Sequence, residues 1–241
     1  MKILIVGFGK MGNSHFKSFL ASKKNYQIYI VDKKFIKESK KIYKNKKIQY
    51  LPYLPKKKFF HLTIIATNSN ERYEIIKKIT DNNKLKYLIL EKFLFNETNY
   101  YEKVKKIIQN HKIKVLVNVW GRLILEPILE KLNRKDILKI KIIVKKGELL
   151  TNLIHFYDFI CCLLGKNFVL SSKNKIKFIK SRRKGYLEGV SDLYSTKKPH
   201  ISIKNKSLIN YHMFKIDLKK DSYKIKINYN GKCEYFLNNK K

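Results

Sequence analysis

Short apolar runs alternate with amphipathic segments through about residue 120. The runs at 2–6, 26–31, 47–51, 61–66, 86–90 and 113–119 are rich in β-branched and aromatic residues and are bounded by glycine, proline or polar clusters, which predicts strands. Between them, 10–22, 35–45, 71–81 and 96–111 place apolar residues at helical spacing. Strands alternating with helices of this length predict an α/β fold with a doubly wound parallel sheet. After Trp120 the pattern changes. A helix is expected at 123–132, a half-buried strand at 136–145, and a helix at 147–165 closed by Gly165. The rest alternates Lys with Ile, Tyr and Phe, and 207–218, 222–229 and 232–237 read as antiparallel strands with one buried face. The expected organisation is a doubly wound domain over residues 1–120 and a smaller α+β domain with an open, mostly antiparallel sheet over 121–241.

The first strand breaks at Gly7-Phe8-Gly9-Lys10-Met11-Gly12 and a helix follows. Strand, glycine turn, helix is the order that binds a dinucleotide pyrophosphate, as in Rossmann domains. Gly7 suits the tight turn, Gly9 lets the backbone approach the phosphates, and Gly12 lets the helix pack on the strand. The helix N-terminus offers free N–H groups and a positive dipole end. The second strand ends at Asp32, about 20 residues past the last glycine, where an acid bonds the adenosine ribose hydroxyls. Asp32 favours NAD, because a carboxylate repels a 2′-phosphate. Lys33 and Lys34 could pair with that phosphate instead, so NADP stays open.

Composition adds less than its extremes promise. The net charge is +37 over 241 residues, which points toward nucleic acid or another polyanion. Against that, only five of 55 basic residues are arginine, the residue that makes bidentate nucleic-acid contacts, and lysine is spread along every segment. Lysine on solvated faces is the preferred reading, with polyanion binding the rival from a different class. Three cysteines make no disulfide framework, and Cys161 and Cys162 read as small buried hydrophobes. No His/Cys cluster points to a metal, no apolar run reaches the length of a membrane span, and no secretory leader is visible. A cytoplasmic setting is expected.

Three later motifs fall where such a ligand site needs them. The fourth strand ends in Ala66-Thr67-Asn68, the fifth in Glu91-Lys92-Phe93, and the helix from Gly147 carries Asn152, His155 and Asp158 at a spacing of three, on one face. With Gly121-Arg122-Leu123 between them, this ordered set resembles the glucose-fructose oxidoreductase / inositol dehydrogenase (Gfo/Idh/MocA) family over roughly residues 1–165. The ending around His155 also looks like a branch associated with surface-polysaccharide sugars. The family pattern carries proline where Asn68 and Phe93 stand and histidine where Arg72 stands.

The resemblance implies an NAD(P)-dependent oxidoreductase acting on a secondary alcohol of a sugar or nucleotide sugar. Its implied cofactor site is Gly7 to Gly12, Asp32, Lys33, Ala66, Thr67, Asn68, Glu91 and Lys92. Lys92 would stabilise charge on the reacting oxygen. His155 is the candidate general acid/base, since imidazole titrates near neutral pH. Asp158 could orient His155 or bind a hydroxyl; Asn152 and Arg122 are candidate substrate ligands. The C-terminal sheet is the expected face for a homo-oligomer. Phe93, Asn68 and the short second domain also raise the alternative of a relative that binds the dinucleotide with impaired catalysis, or that reports its redox state without turnover. The remaining histidines read as structural or surface.

Overall fold

The computed structural model describes residues 1–22, 24–32, 47–145, 148–165, 167–172, 174–180, 187–195, 197–206, 209–228 and 231–240. Lys33, Lys34, Gly147 and the helix expected at 35–45 lie outside the described residues. The chain divides into two compact units, Met1–Asn118 and Val119–Lys241.

The first unit is a six-stranded parallel sheet. Its strands are β1 (Lys2–Val6), β2 (Gln27–Val31), β3 (Ile48–Leu51), β4 (Phe59–Ile65), β5 (Lys84–Glu91) and β6 (Lys114–Asn118). They lie in the order β3-β2-β1-β4-β5-β6, so the order reverses where β1 lies between β2 and β4. Helices α1 (Lys10–Ala21), α2 (Ser69–Asn82) and α3 (Asn99–Asn110) connect them. β1 is apolar almost throughout because both its faces are covered. Ile3 and Ile5 pack with Phe8 and Phe16, while Leu4 and Val6 pack on the other face with Ile65 and Ile76.

The second unit has a seven-stranded sheet of β7 (Ile137–Lys145), β8 (Ser171–Ser172), β11 (Leu193–Tyr194), β12 (His200–Lys206), β13 (Tyr211–Leu218), β14 (Ser222–Asn228) and β15 (Cys233–Leu237). The order is β15-β14-β13-β7-β12-β11-β8. β9 (Lys177–Lys180) and β10 (Leu187–Val190) form a separate antiparallel pair. The large sheet is antiparallel except where β12 runs parallel to β7. Alternate residues of its strands, among them Ile140, Ile142, Ile201, Ile203, Phe214 and Ile216, share a core with helices α4 (Gly121–Leu129) and α5 (Leu149–Leu164). α5 is capped by Gly165 in the left-handed conformation, φ 67°. Cys161 and Cys162 are free and only half-buried, not the core residues expected, because they sit toward the flank of α5.

Two glycine contacts set helix positions. A Cβ at Gly12 would lie 1.9 Å from the Gly7 carbonyl oxygen, and one at Gly121 would lie 2.8 Å from the His155 carbonyl oxygen. Neither neighbour can yield without moving backbone. Gly12→Ala is therefore expected to destabilise the protein by roughly 1–3 kcal/mol through overpacking, read as a lower urea midpoint.

A second prediction concerns His212, half-buried on β13 with its Nε2 3.7 Å from Glu148 Oε2. Burial lowers its pKa, against the opposing charge of Glu148. The folded state thus favours the neutral ring. Its contribution to stability is full above the unfolded pKa of about 6.5 and is lost as pH falls through the lower folded pKa. Urea midpoints measured from pH 7 to pH 5 should fall for the natural protein and fall less for His212→Phe.

Candidate functional site

The glycine turn leaves β1 with Gly7 at φ 87°, a conformation that a side chain disfavours. A Cβ there would also meet Ala66 C and Thr67 Cγ2, each at 2.9 Å. Thus Ala66 and Thr67, at the end of β4, lie against the turn. Phe8 turns inward and packs edge-on against Phe16 and Tyr50. Its backbone N–H donates to Asp32 Oδ2 at 2.6 Å, which holds the end of β2 against the turn. Gly9 is the N-cap of α1, with ordinary torsions of −68° and −163° and no side-chain cap. A Cβ on Gly9 would have nothing within 4 Å. Lys10 and Met11 are exposed beside it. The helix N-terminus therefore carries uncapped N–H groups toward open space, the arrangement that an anionic diphosphate fits.

A buried network joins the ends of β4 and β5. Arg72, on α2, is 2% exposed. Its Nη2 donates to Thr67 O at 2.5 Å; its Nη1 donates to Glu91 O at 2.5 Å, to Leu94 O at 2.8 Å and to Phe93 O. Burial pushes the Arg72 pKa down to about 10, with the Glu91 and Tyr101 charges opposing, so it stays a cation at neutral pH. The Glu91 carboxylate accepts from Asn118 Nδ2 and meets His15 Nε2, each at 2.8 Å from Oε1. Burial works against its ionisation, but these hydrogen bonds and the charges of His15 and Arg72 hold its pKa below the ordinary carboxylate value. Lys92 follows. It is half-buried rather than buried, with Nζ 5.5 Å from the Phe93 ring centre. Phe93 and Asn68 are exposed, and Asn68 is the N-cap of α2.

In the second unit, His155 is buried on α5 and packs against Trp120, ring centres 4.8 Å apart. Trp120 also lies nearly parallel to His212, at 6.4 Å. Asp158 takes a different partner from the one expected. Its carboxylate accepts from Arg122 Nη2 at 2.7 Å and from Nε at 3.0 and 3.1 Å. That geometry ties the two side chains to one another. The carboxylate raises the Arg122 pKa. Asn152 is half-buried, and its Nδ2 donates to Glu148 O one turn back at 3.1 Å. Among the described residues no cluster of His, Cys, Asp and Glu could hold a metal, and no helix is long and apolar enough to cross a membrane.

Sequence reasoning missed three participants. His15 and His212 were read as structural or surface, and Arg72 only as a departure from a pattern. His15 sits one turn after Gly12 on the helix that the glycine turn aims, which was a usable signal. For Arg72 and His212 most partners are distant in sequence, so no local period reports them.

The matches to known proteins agree with this geometry. Residues 1–119 match the Gfo/Idh/MocA family, described as an oxidoreductase family with an NAD-binding Rossmann fold. No curated protein sequence matches the chain. Among solved structures, the WlbA dehydrogenase from Chromobacterium violaceum, in complex with NADH and UDP-GlcNAcA, has a TM-score of 0.72 at 12% identity, covering 94% of this chain and 74% of that one. The dehydrogenase MviM from Clostridium difficile gives 0.70 at 15%, covering 98% and 82%. A super-repressor mutant of Gal80p from Saccharomyces cerevisiae gives 0.72 at 17%, covering 98% and 78%. At such identities these likenesses speak for the fold alone. Residues 1–119 belong to the Gfo/Idh/MocA oxidoreductase family and carry that family's NAD-binding Rossmann fold.

Proposed function

We propose that the protein is an NAD(P)-dependent oxidoreductase that interconverts a secondary alcohol and a ketone on a sugar or nucleotide sugar. The observation that carries the reading is the glycine turn: Gly12 admits no side chain against Gly7, while Gly9 faces open space at an uncapped helix N-terminus. Asp32, tied to the turn through Phe8 N–H, favours NAD over NADP. The nucleotide-sugar class rests on the likeness to a dehydrogenase holding NADH and UDP-GlcNAcA.

When bound, the nicotinamide supplies the hydride acceptor or donor; the protein supplies position and electrostatics. In oxidation, the His155 imidazole removes the hydroxyl proton, and burial against Trp120 holds the ring in one orientation. We assign to the Lys92 ammonium, carried at the carboxyl end of β5, the stabilisation of negative charge on a substrate oxygen. Arg122 and Asp158 hold one another at the edge of α5. A second reading, dinucleotide binding without turnover, draws on Phe93, exposed where the family pattern carries proline.

The test is hydride exchange between NAD and UDP-linked sugars, followed by NADH absorbance. The natural protein should turn over at least one. His155→Ala should lower kcat by roughly 10²–10⁴-fold and Lys92→Met by about 10²-fold or more, with NADH affinity kept. Wild-type turnover in His155→Ala would remove the imidazole from the mechanism. NADH binding with no exchange on any of the sugars would favour the second reading.

A further inference from the structure

Arg72 is the largest side chain in the fully buried set, and no step above uses it. Burying a guanidinium is costly unless its donors are met. If packing alone were needed at this point of α2, an apolar residue would serve at less cost. What surrounds Arg72 is backbone. Its two terminal nitrogens donate to the carbonyls of Thr67, Glu91, Phe93 and Leu94. Among the described residues no carboxylate forms an ion pair with it, since the Glu91 side chain is taken by His15 and Asn118.

The four carbonyls belong to two segments, the end of β4 and the turn that leaves β5. Three of them bracket Lys92: one immediately before it, one immediately after, and one a residue further on. Leu94 and Phe95 pack into the core further along that turn, whereas the Phe93 ring is 48% exposed and Lys92 is half-buried, so the carbonyls nearest Lys92 are the ones the guanidinium holds. A planar fork of fixed donors converging on carbonyls from two segments restricts their separation in a way that a flexible ammonium would not.

We propose that Arg72 is the positioning residue of Lys92: its guanidinium fixes the backbone on either side of Lys92 and ties that turn to the Thr67 end of β4. The catalytic consequence rests on the role proposed for Lys92. The positioning itself does not, and the two are tested separately.

The experiment uses the full chain with Arg72→Gln and Arg72→Lys, and follows amide hydrogen exchange by residue together with the rate of Lys92 acetylation by acetic anhydride. Exchange at residues 92–95 and at 67–68 should rise tenfold or more in Arg72→Gln. Exchange in β1, β2 and the second unit should stay at the natural rate. Lys92 acetylation should change at least threefold relative to Lys84 and Lys86 on the same strand. Arg72→Lys should fall between, and carries the same comparison should Arg72→Gln not fold. Adding Phe93→Pro to Arg72→Gln supplies a rigid torsion at residue 93 in place of the lost hydrogen bonds. It should restore part of the protection at 94 and 95, which a general loss of packing would not allow. With a sugar that turns over, kcat should drop tenfold or more in Arg72→Gln while NADH affinity changes less than threefold.

Natural exchange and acetylation rates in both single variants would overturn the proposal. So would exchange raised evenly through the unit with no recovery on adding Phe93→Pro. If the exchange results hold but Lys92→Met keeps natural turnover, the positioning stands and the catalytic role of Lys92 falls.

Discussion

The 1.9 Å separation between a hypothetical Cβ at Gly12 and the Gly7 carbonyl oxygen is the constraint on which the first unit's site depends. Only a residue without a side chain lets α1 come that close to the end of β1. The close approach places the helix N-terminus at the carboxyl edge of the sheet, where β1 pairs with β2 on one side and β4 on the other and the strand order reverses. The rest follows in sequence. Gly7 takes a positive φ to turn the chain, Phe8 is drawn into the core and gives its N–H to Asp32, and Gly9 is left facing outward with free amides beside it.

Two buried charged groups then organise the neighbouring strand ends. The two terminal nitrogens of Arg72 donate to carbonyls while its Nε has no partner among the described residues, and the Glu91 carboxylate is met by side chains. The two point to different partners although the charge of each favours ionisation of the other. This division matters physically. A direct ion pair would have fixed one side chain to another, whereas donors spread over carbonyls fix the path of the backbone itself. In the second unit the same economy appears in another form. Trp120 lies against both His155 and His212, so two titratable rings are held by one indole, while the exposed Arg122 and the half-buried Asp158 pair at the flank.

How much of this was legible depended on range. β1, β2 and α1 were readable because burial on both faces makes a continuous apolar run and a glycine-interrupted start marks the helix. Gly165 announced its own positive φ by ending an apolar helix. The ladder between β7 and β12 was not readable as parallel, because a half-buried strand alternates in the same way whichever direction its neighbour runs. Side-chain pairings were the least legible. His15 and Glu91 are 76 positions apart and Arg122 and Asp158 are 36 apart, so no local period reports them. The helical spacing that put Asn152, His155 and Asp158 on one face was sound, yet their partners came from Glu148, Trp120 and Arg122.

The most direct test of the account is a titration of the natural protein and Gly9→Val with NADH, followed by the fluorescence of the reduced nicotinamide. Gly9 has ordinary torsions and open space around its absent Cβ, so the variant should keep its fold and its thermal midpoint. The account predicts saturable binding by the natural protein and affinity weakened at least about tenfold in Gly9→Val, because the side chain occupies the place of the diphosphate. Equal affinity in the two proteins, or no saturable binding in either, would contradict it.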